Sequence, residues 1–148
     1  MTRGNGSDVN PHDGDRIFIE LSIQDGRIAS VGAKGIVVVA VMISASGVMR
    51  RREFATGAEA RATGHETSTG CETARRAALA LGRLAYGKSA EEAFAISARE
   101  LMLAIGYVAP QNERCVLTAI GALRSALIDA HVTALAEATV EAKKLSLK

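Results

Sequence analysis

Aromatic residues are nearly missing from this chain: they make up 3% of its 148 residues and include no Trp. That leaves too few rings for the base-stacking platforms of single-stranded nucleic-acid binders. Neither sign of charge is in large excess, with 18 Lys and Arg against 16 Asp and Glu, so the net field is too weak to imply a nucleic-acid partner. The longest apolar run, residues 36–43, is far short of the ~20 residues of a membrane span. Cysteine occurs twice, with no dense spacing and no secretory segment, which excludes a disulfide scaffold and points to a reducing, cytoplasmic setting. Residues 1–14 are polar, rich in Gly, Asn and Asp, and lack the apolar core of a signal peptide, so they read as a flexible arm. The remainder, 15–148, in a chain that is 48% hydrophobic, is expected to form one soluble domain with an adequate core.

The first half of that domain carries strand patterns. Ile17, Ile19, Leu21 and Ile23 alternate with Phe18, Glu20 and Ser22, which predicts a half-buried strand ending at an Asp25-Gly26 turn. A short strand follows over 27–33. Residues 36–43 are continuous and β-branched, as in a central strand covered on both faces. Gly47 is expected to turn the chain into a strand over 48–54. Arg50, Arg51 and Arg52 fall on it at alternating faces, so they read as a solvated strand end rather than an anion site. A last strand is expected over 60–66.

The second half carries helix patterns. Ala74, Ala77, Leu81 and Leu84 form one stripe that suits the face of a sheet. A second helix from Ala90 is expected to bury Phe94, Leu101 and Ile105, to stop at Gly106 and to be kept stopped by Pro110. A final helix repeats Leu117, Ile120, Leu123, Leu127 and Ile128 and continues weakly through Leu135 and Val140. The part beyond His131 exceeds what a small sheet needs to cover, so it is expected to be an oligomer or partner contact, or else a solvent-exposed helix end. Strands first and helices after them predict an α+β fold, an antiparallel or mixed sheet with helices on one face.

Both cysteines follow helix-start signals. Thr69 and Glu72 have the spacing of a capping box, which sets Cys71 in a first turn. Asn112 is a candidate N-cap and Glu113 an acid suited to the dipole, which sets Cys115 in another first turn. Helix N-termini favour the thiolate, the form that binds metals or attacks sulfur; two buried small residues are the plain alternative. His65, six positions before Cys71, carries an imidazole that binds iron or zinc, against a reading as an exposed strand or loop histidine.

Gly70-Cys71, the Ala/Leu-rich helix, Gly87-Lys88-Ser89 with Glu92-Ala93, and then Cys115 before a further Ala/Leu-rich helix resemble, in order and spacing, the iron-sulfur cluster assembly scaffold family (NifU N-terminal-domain or IscU-like). The resemblance covers about the C-terminal half. Cys71 and Cys115 match two of that family's three ligand cysteines, and Arg114 matches its basic residue before the last one. The third belongs to a Cys-Gly-Asp. Asp13-Gly14-Asp15 is set on that motif, followed by a strand and the turn at Asp25-Gly26; Asp15 keeps the acidic role and Asp13 stands where the cysteine would be. This placement needs an insertion before Cys71. A second placement sets residues 9–12 on the family's N-terminal Asn-Pro-Arg segment and leaves no ligand.

The resemblance implies a scaffold rather than an enzyme. It would receive sulfur from a cysteine desulfurase, hold iron or a [2Fe-2S] cluster on Cys71, Cys115 and Asp15, and pass it to acceptor or chaperone proteins. Two thiolates fall short of the four ligands a cluster generally needs. Asp13, Asp15 or His65 completes the set, two chains share a cluster in a homo-oligomer, zinc replaces it, or the chain docks assembly partners without metal. From a different class, an OsmC-like two-cysteine thiol peroxidase also fits the composition.

Overall fold

The computed structural model describes residues 1–10, 15–43, 46–55 and 72–147. Among them, four strands form one antiparallel sheet in chain order: β1 (Thr2–Val9), β2 (Arg16–Gln24), β3 (Arg27–Ile43) and β4 (Ser46–Ala55). Four α-helices follow: α1 (Glu72–Ala85), α2 (Ala90–Phe94), α3 (Ala98–Ile105) and, after a 3-10 turn at Pro110–Asn112, α4 (Glu113–Ser146). The fold is α+β, with helices packed on the sheet that precedes them. The strand expected over 60–66 lies outside the described residues.

The Asp25-Gly26 turn forms as the sequence predicts. Both residues have positive φ (53° and 76°), which a two-residue hairpin requires and which Asp and Gly tolerate. Alternation along β2 sends Ile17, Ile19 and Leu21 to the helix side, where all three are buried. With Ile28 and Ala33 of β3 they meet Ala77 and Leu81 of α1 and Ala119, Leu123 and Ala126 of α4 in a single core. The predicted α1 stripe is correct, since Ala74, Ala77 and Leu81 are buried and Leu84 packs against the core at its margin.

The N-terminal arm is corrected: Thr2–Val9 is a strand, paired with β2 along its length from Thr2 with Ile23 to Val9 with Arg16. Its Gly4-Asn5-Gly6 lies directly under α4. A Cβ on Gly4 would stand 2.8 Å from the Ala130 Cβ, and one on Gly6 2.7 Å from the Ala122 carbonyl oxygen. Strand and helix approach this closely because glycines face the alanine ladder Ala122, Ala126 and Ala130. The Asp129 carboxylate, 2.8 Å away, accepts the outward N–H of Asn5 and so occupies part of this sheet edge.

The strands expected over 27–33 and 36–43 are one strand, β3. Its first half pairs with β2 and its second half with β4, so only Lys34, Gly35 and Ile36 have strand partners on both sides among the described residues. Among the described residues, 37–43 pair with β4 alone. Gly47 is not the turn; it pairs with Met42 inside the ribbon.

Among the helices, the one expected from Ala90 is broken in two. Ser89 caps α2 and Ser97 caps α3, each hydroxyl accepting the N–H three residues on, Glu92 and Glu100. The break turns Ile96 into the core at 2% exposure and leaves Phe94 43% exposed rather than buried. The Arg124 guanidinium lies 5.4 Å from the centroid of the Phe94 ring, and its Nε donates to the Phe94 carbonyl. Gly106, at φ 88°, ends α3 as predicted. Leu117 and Ile128 are also corrected: both are more than half exposed, because they lie on the face of α4 opposite Leu123. By length and composition α4 could cross a membrane, but 56% of its most apolar window is buried in the protein.

Ser89 and Glu92 form a reciprocal capping box: the Ser89 N–H donates to Glu92 Oε1 at 3.3 Å while the Glu92 N–H donates to Ser89 Oγ at 3.2 Å. The backbone bond from Ser89 chiefly, then its hydroxyl, with smaller help from Arg27 and Lys88, holds the Glu92 carboxyl below its ordinary 4.5. Because this pKa is depressed on folding, the cap is at full strength above 4.5 and is lost as pH falls through the lower folded value. An NMR titration is expected to show the Ser89 amide shift inflecting below pH 4.5, and Glu92→Gln is expected to abolish that inflection.

Candidate functional site

α4 runs antiparallel to β1 along its length. Ala130 covers Gly4 and Gly121 meets Asp8, so four strand residues, ~13 Å, match nine helix residues, ~13.5 Å. Two strand residues further on is Asn10, whose N–H donates to the Asp15 carbonyl at 2.7 Å. Continuing the register brings α4 to Cys115 and Val116 at that level. Asp15 and Cys115 therefore belong to the same end of the fold, and both are 5% exposed. Asp15 is two residues before Ile17, so strand alternation sets it on the helix side as well.

α1 arrives at this end too. Its C-terminal region is anchored at the other end, where the Gly87 N–H donates to the Ile28 carbonyl at 2.9 Å and Gly82 packs over Val31. The ten residues back to Glu72 span ~15 Å of helix, which matches ~17 Å of strand from Val31 to Ile36. Ile36 pairs with Arg16, next to Asp15. The N-terminus of α1, the residue after Cys71, is thus level with Asp15. Cys71, Asp13 and His65 themselves lie outside the described residues.

Arg114 is exposed beside Cys115, and its carbonyl accepts the Thr118 hydroxyl at 2.7 Å. Asn112 precedes α4 but makes no side-chain cap. The 3-10 turn has already curled its backbone to φ −103°, ψ 0°, whereas a capping side chain needs an extended backbone. Asn10 and Thr118, 3% and 5% exposed, are further buried polar residues of this end; only Asn10 entered the sequence reading, through the second placement of residues 9–12. Asn10, Asp15 and Cys115 are each engaged in bonding or electrostatic interactions within the protein.

Gly87-Lys88-Ser89, the segment that carries much of the resemblance, is at the opposite end. The Ile28 N–H donates to the Lys88 carbonyl at 2.9 Å and Arg27 Nη1 to the Gly87 carbonyl at 2.8 Å, so the segment docks α2 on the start of β3. That is a structural task ~26 Å along the strand from Ile36. His131 is also remote, ~24 Å along α4 from Cys115.

Among the described residues no group of three or more His, Cys, Asp or Glu is placed to hold a metal ion. Of the predicted ligands, the described residues include only Asp15 and Cys115, which supply at most two donors. Burial of Cys115 also bears on thiol chemistry: a thiolate that attacks peroxide must be reached from solvent, which would leave that role to Cys71. A scan against protein-family models finds no match for this chain, and no curated protein matches it.

Proposed function

We propose that the chain is an iron-sulfur cluster assembly scaffold of the NifU N-terminal or IscU-like type, on which iron and sulfur are gathered as cargo for transfer. The observation that carries this reading is the register of α4 and α1 on the sheet, which brings Asp15, Cys115 and the helix start after Cys71 to one end. In this reading the Cys71 and Cys115 thiolates bind iron and a cysteine desulfurase delivers sulfur at the same end. Asp15 and Asp13 offer carboxylate oxygens, harder and weaker ligands toward a [2Fe-2S] unit than thiolates, so cargo is released readily to an acceptor. His65 or a second chain completes the ligand set, and zinc is the competing occupant. The exposed Arg114 places a positive charge beside a site whose ligands are anionic.

Anaerobic reconstitution of the full chain with ferrous iron and sulfide tests this reading. Broad visible absorption with protein-bound iron and sulfide is expected, lost in Cys71→Ala and retained longer in Asp13→Cys, which restores a third thiolate. A colourless, metal-free protein that still captures a cysteine desulfurase would replace the scaffold by a docking relative without metal. A Cys71–Cys115 disulfide formed on peroxide addition would replace it by the thiol peroxidase.

A further inference from the structure

From residue 131 onward nearly every position of α4 is exposed, and the helix continues ~24 Å past the last buried residue, Ala130. Its outer side is not polar. Ile128, Val132 and Leu135 are each 54–56% exposed, and with Thr139, Ala142 and Ser146 they repeat at spacings of four and three. That spacing is the seam of a two-helix coiled coil. The two hydroxyls in the stripe are already satisfied within the helix: Thr139 Oγ1 donates to the Leu135 carbonyl and Ser146 Oγ to the Lys143 carbonyl, both at 2.9 Å. Neither needs water or a polar partner, so the whole stripe is fit for dry packing.

We infer that a second copy of this chain covers the stripe, with the two α4 helices antiparallel over residues 128–146. In that register each layer joins a large residue to a small one: Ile128 meets the partner's Ser146, Val132 the partner's Ala142, and Leu135 the partner's Thr139. A parallel pair would stack large on large and small on small and leave gaps at Thr139 and Ala142. Charge favours the same arrangement. Asp129 and Lys143 flank the stripe on one side at its opposite ends, so the antiparallel pair twice brings the partner's Lys143 alongside Asp129, one of whose oxygens accepts the Asn5 N–H while the other can take the lysine. Ala136 and Ala138 flank the dyad and permit close approach. Each body lies beyond the end of the other's helix, and its sheet faces away from the seam. A seam of ~27 Å is smaller than a standard interface of about 800 Å² per partner, so the dimer is a weak one of micromolar order.

Sedimentation of the full chain at about 100 µM, where a micromolar dimer is nearly saturated, should give twice the 15.5 kDa chain mass. Leu135→Glu, beyond the folded body, should return it to one chain mass with its circular dichroism unchanged. For the orientation, Val132→Cys and Ala142→Cys proteins should form no 132–132 or 142–142 disulfide alone, but a 132–142 disulfide when mixed, mapped by peptide mass. A wild-type chain that stays monomeric, or that floats with phosphatidylcholine vesicles as a monomer, would overturn the proposal. So would self-linked Val132→Cys.

Discussion

Gly6→Val is expected to remove at least about 3 kcal/mol of stability, a large share of the 5–15 kcal/mol available to a domain. The clash is with backbone rather than with a movable side chain. A Cβ on Gly6 meets the Ala122 carbonyl oxygen at 2.7 Å and the Ala126 amide nitrogen closer still. Relief requires α4 to lift off β1, which would open the cover over Ile19 and Leu21, now 2% and 1% exposed. Gly4→Val is expected to act similarly, against Ala130. Gly121→Ala is the control: its Cβ would meet the carboxylate of Asp8, the far end of a side chain that can swing away, so a cost below about 1 kcal/mol is expected. Urea midpoints of the three variants check this. Equal midpoints for Gly6→Val and wild type would mean that β1 does not pack under α4.

Leu123→Ala is expected to cost about 3 kcal/mol. Leu123 is 0% exposed on α4, in the core shared by the sheet and the helices, and its truncation leaves a cavity that a sheet-and-helix core closes only in part. At this chain length such a loss lowers Tm by about 10 °C in a thermal unfolding scan. Leu117→Ala, on the same helix but 56% exposed on its opposite face, is expected to change Tm by no more than ~2 °C. The pair of scans reads out which side of α4 the body uses. Sequence periodicity left that open, because Leu117, Leu123 and Ile128 share one apolar pattern.

Local chemistry explains what could be read from the chain alone. Asp25-Gly26 can take positive φ, Ser89 and Glu92 can satisfy each other's N–H, and Gly106 can end a helix at φ 88°; each needs only neighbours in sequence. The alternation of Ile17, Ile19 and Leu21 needs only the two-residue period of a strand. Pattern was insufficient where two features compete. Phe94 looked like a core residue of one long helix, but the cap at Ser97 restarts the chain and turns Ile96 inward instead. Residues 36–43 read as central because they are β-branched; among the described residues β2 accompanies β3 as far as Ile36 and β4 pairs with the rest.

For the candidate site, the sequence supplied residue types and order: Asp15, Cys71 and Cys115, with Arg114 beside the last. It could not say that Asp15 and Cys115, a hundred positions apart, stand at one end of the sheet, nor that both are buried there. Gly87-Lys88-Ser89, which entered the sequence reading only through the resemblance, is used by the fold at the other end as a helix anchor.

By itself, then, the sequence determined the α+β class, the Asp25-Gly26 hairpin, the cap at Ser89 and the helix stop at Gly106, all through interactions between near neighbours. Only the tertiary structure decided that residues 2–9 are a strand. Gly4-Asn5-Gly6 has little strand preference of its own and becomes a packing surface only because Ala122, Ala126 and Ala130 approach it from the far end of the chain. The same helix-on-strand register decides which residues share an end of the sheet. Such a register is a property of two surfaces in contact, and neither segment carries it alone.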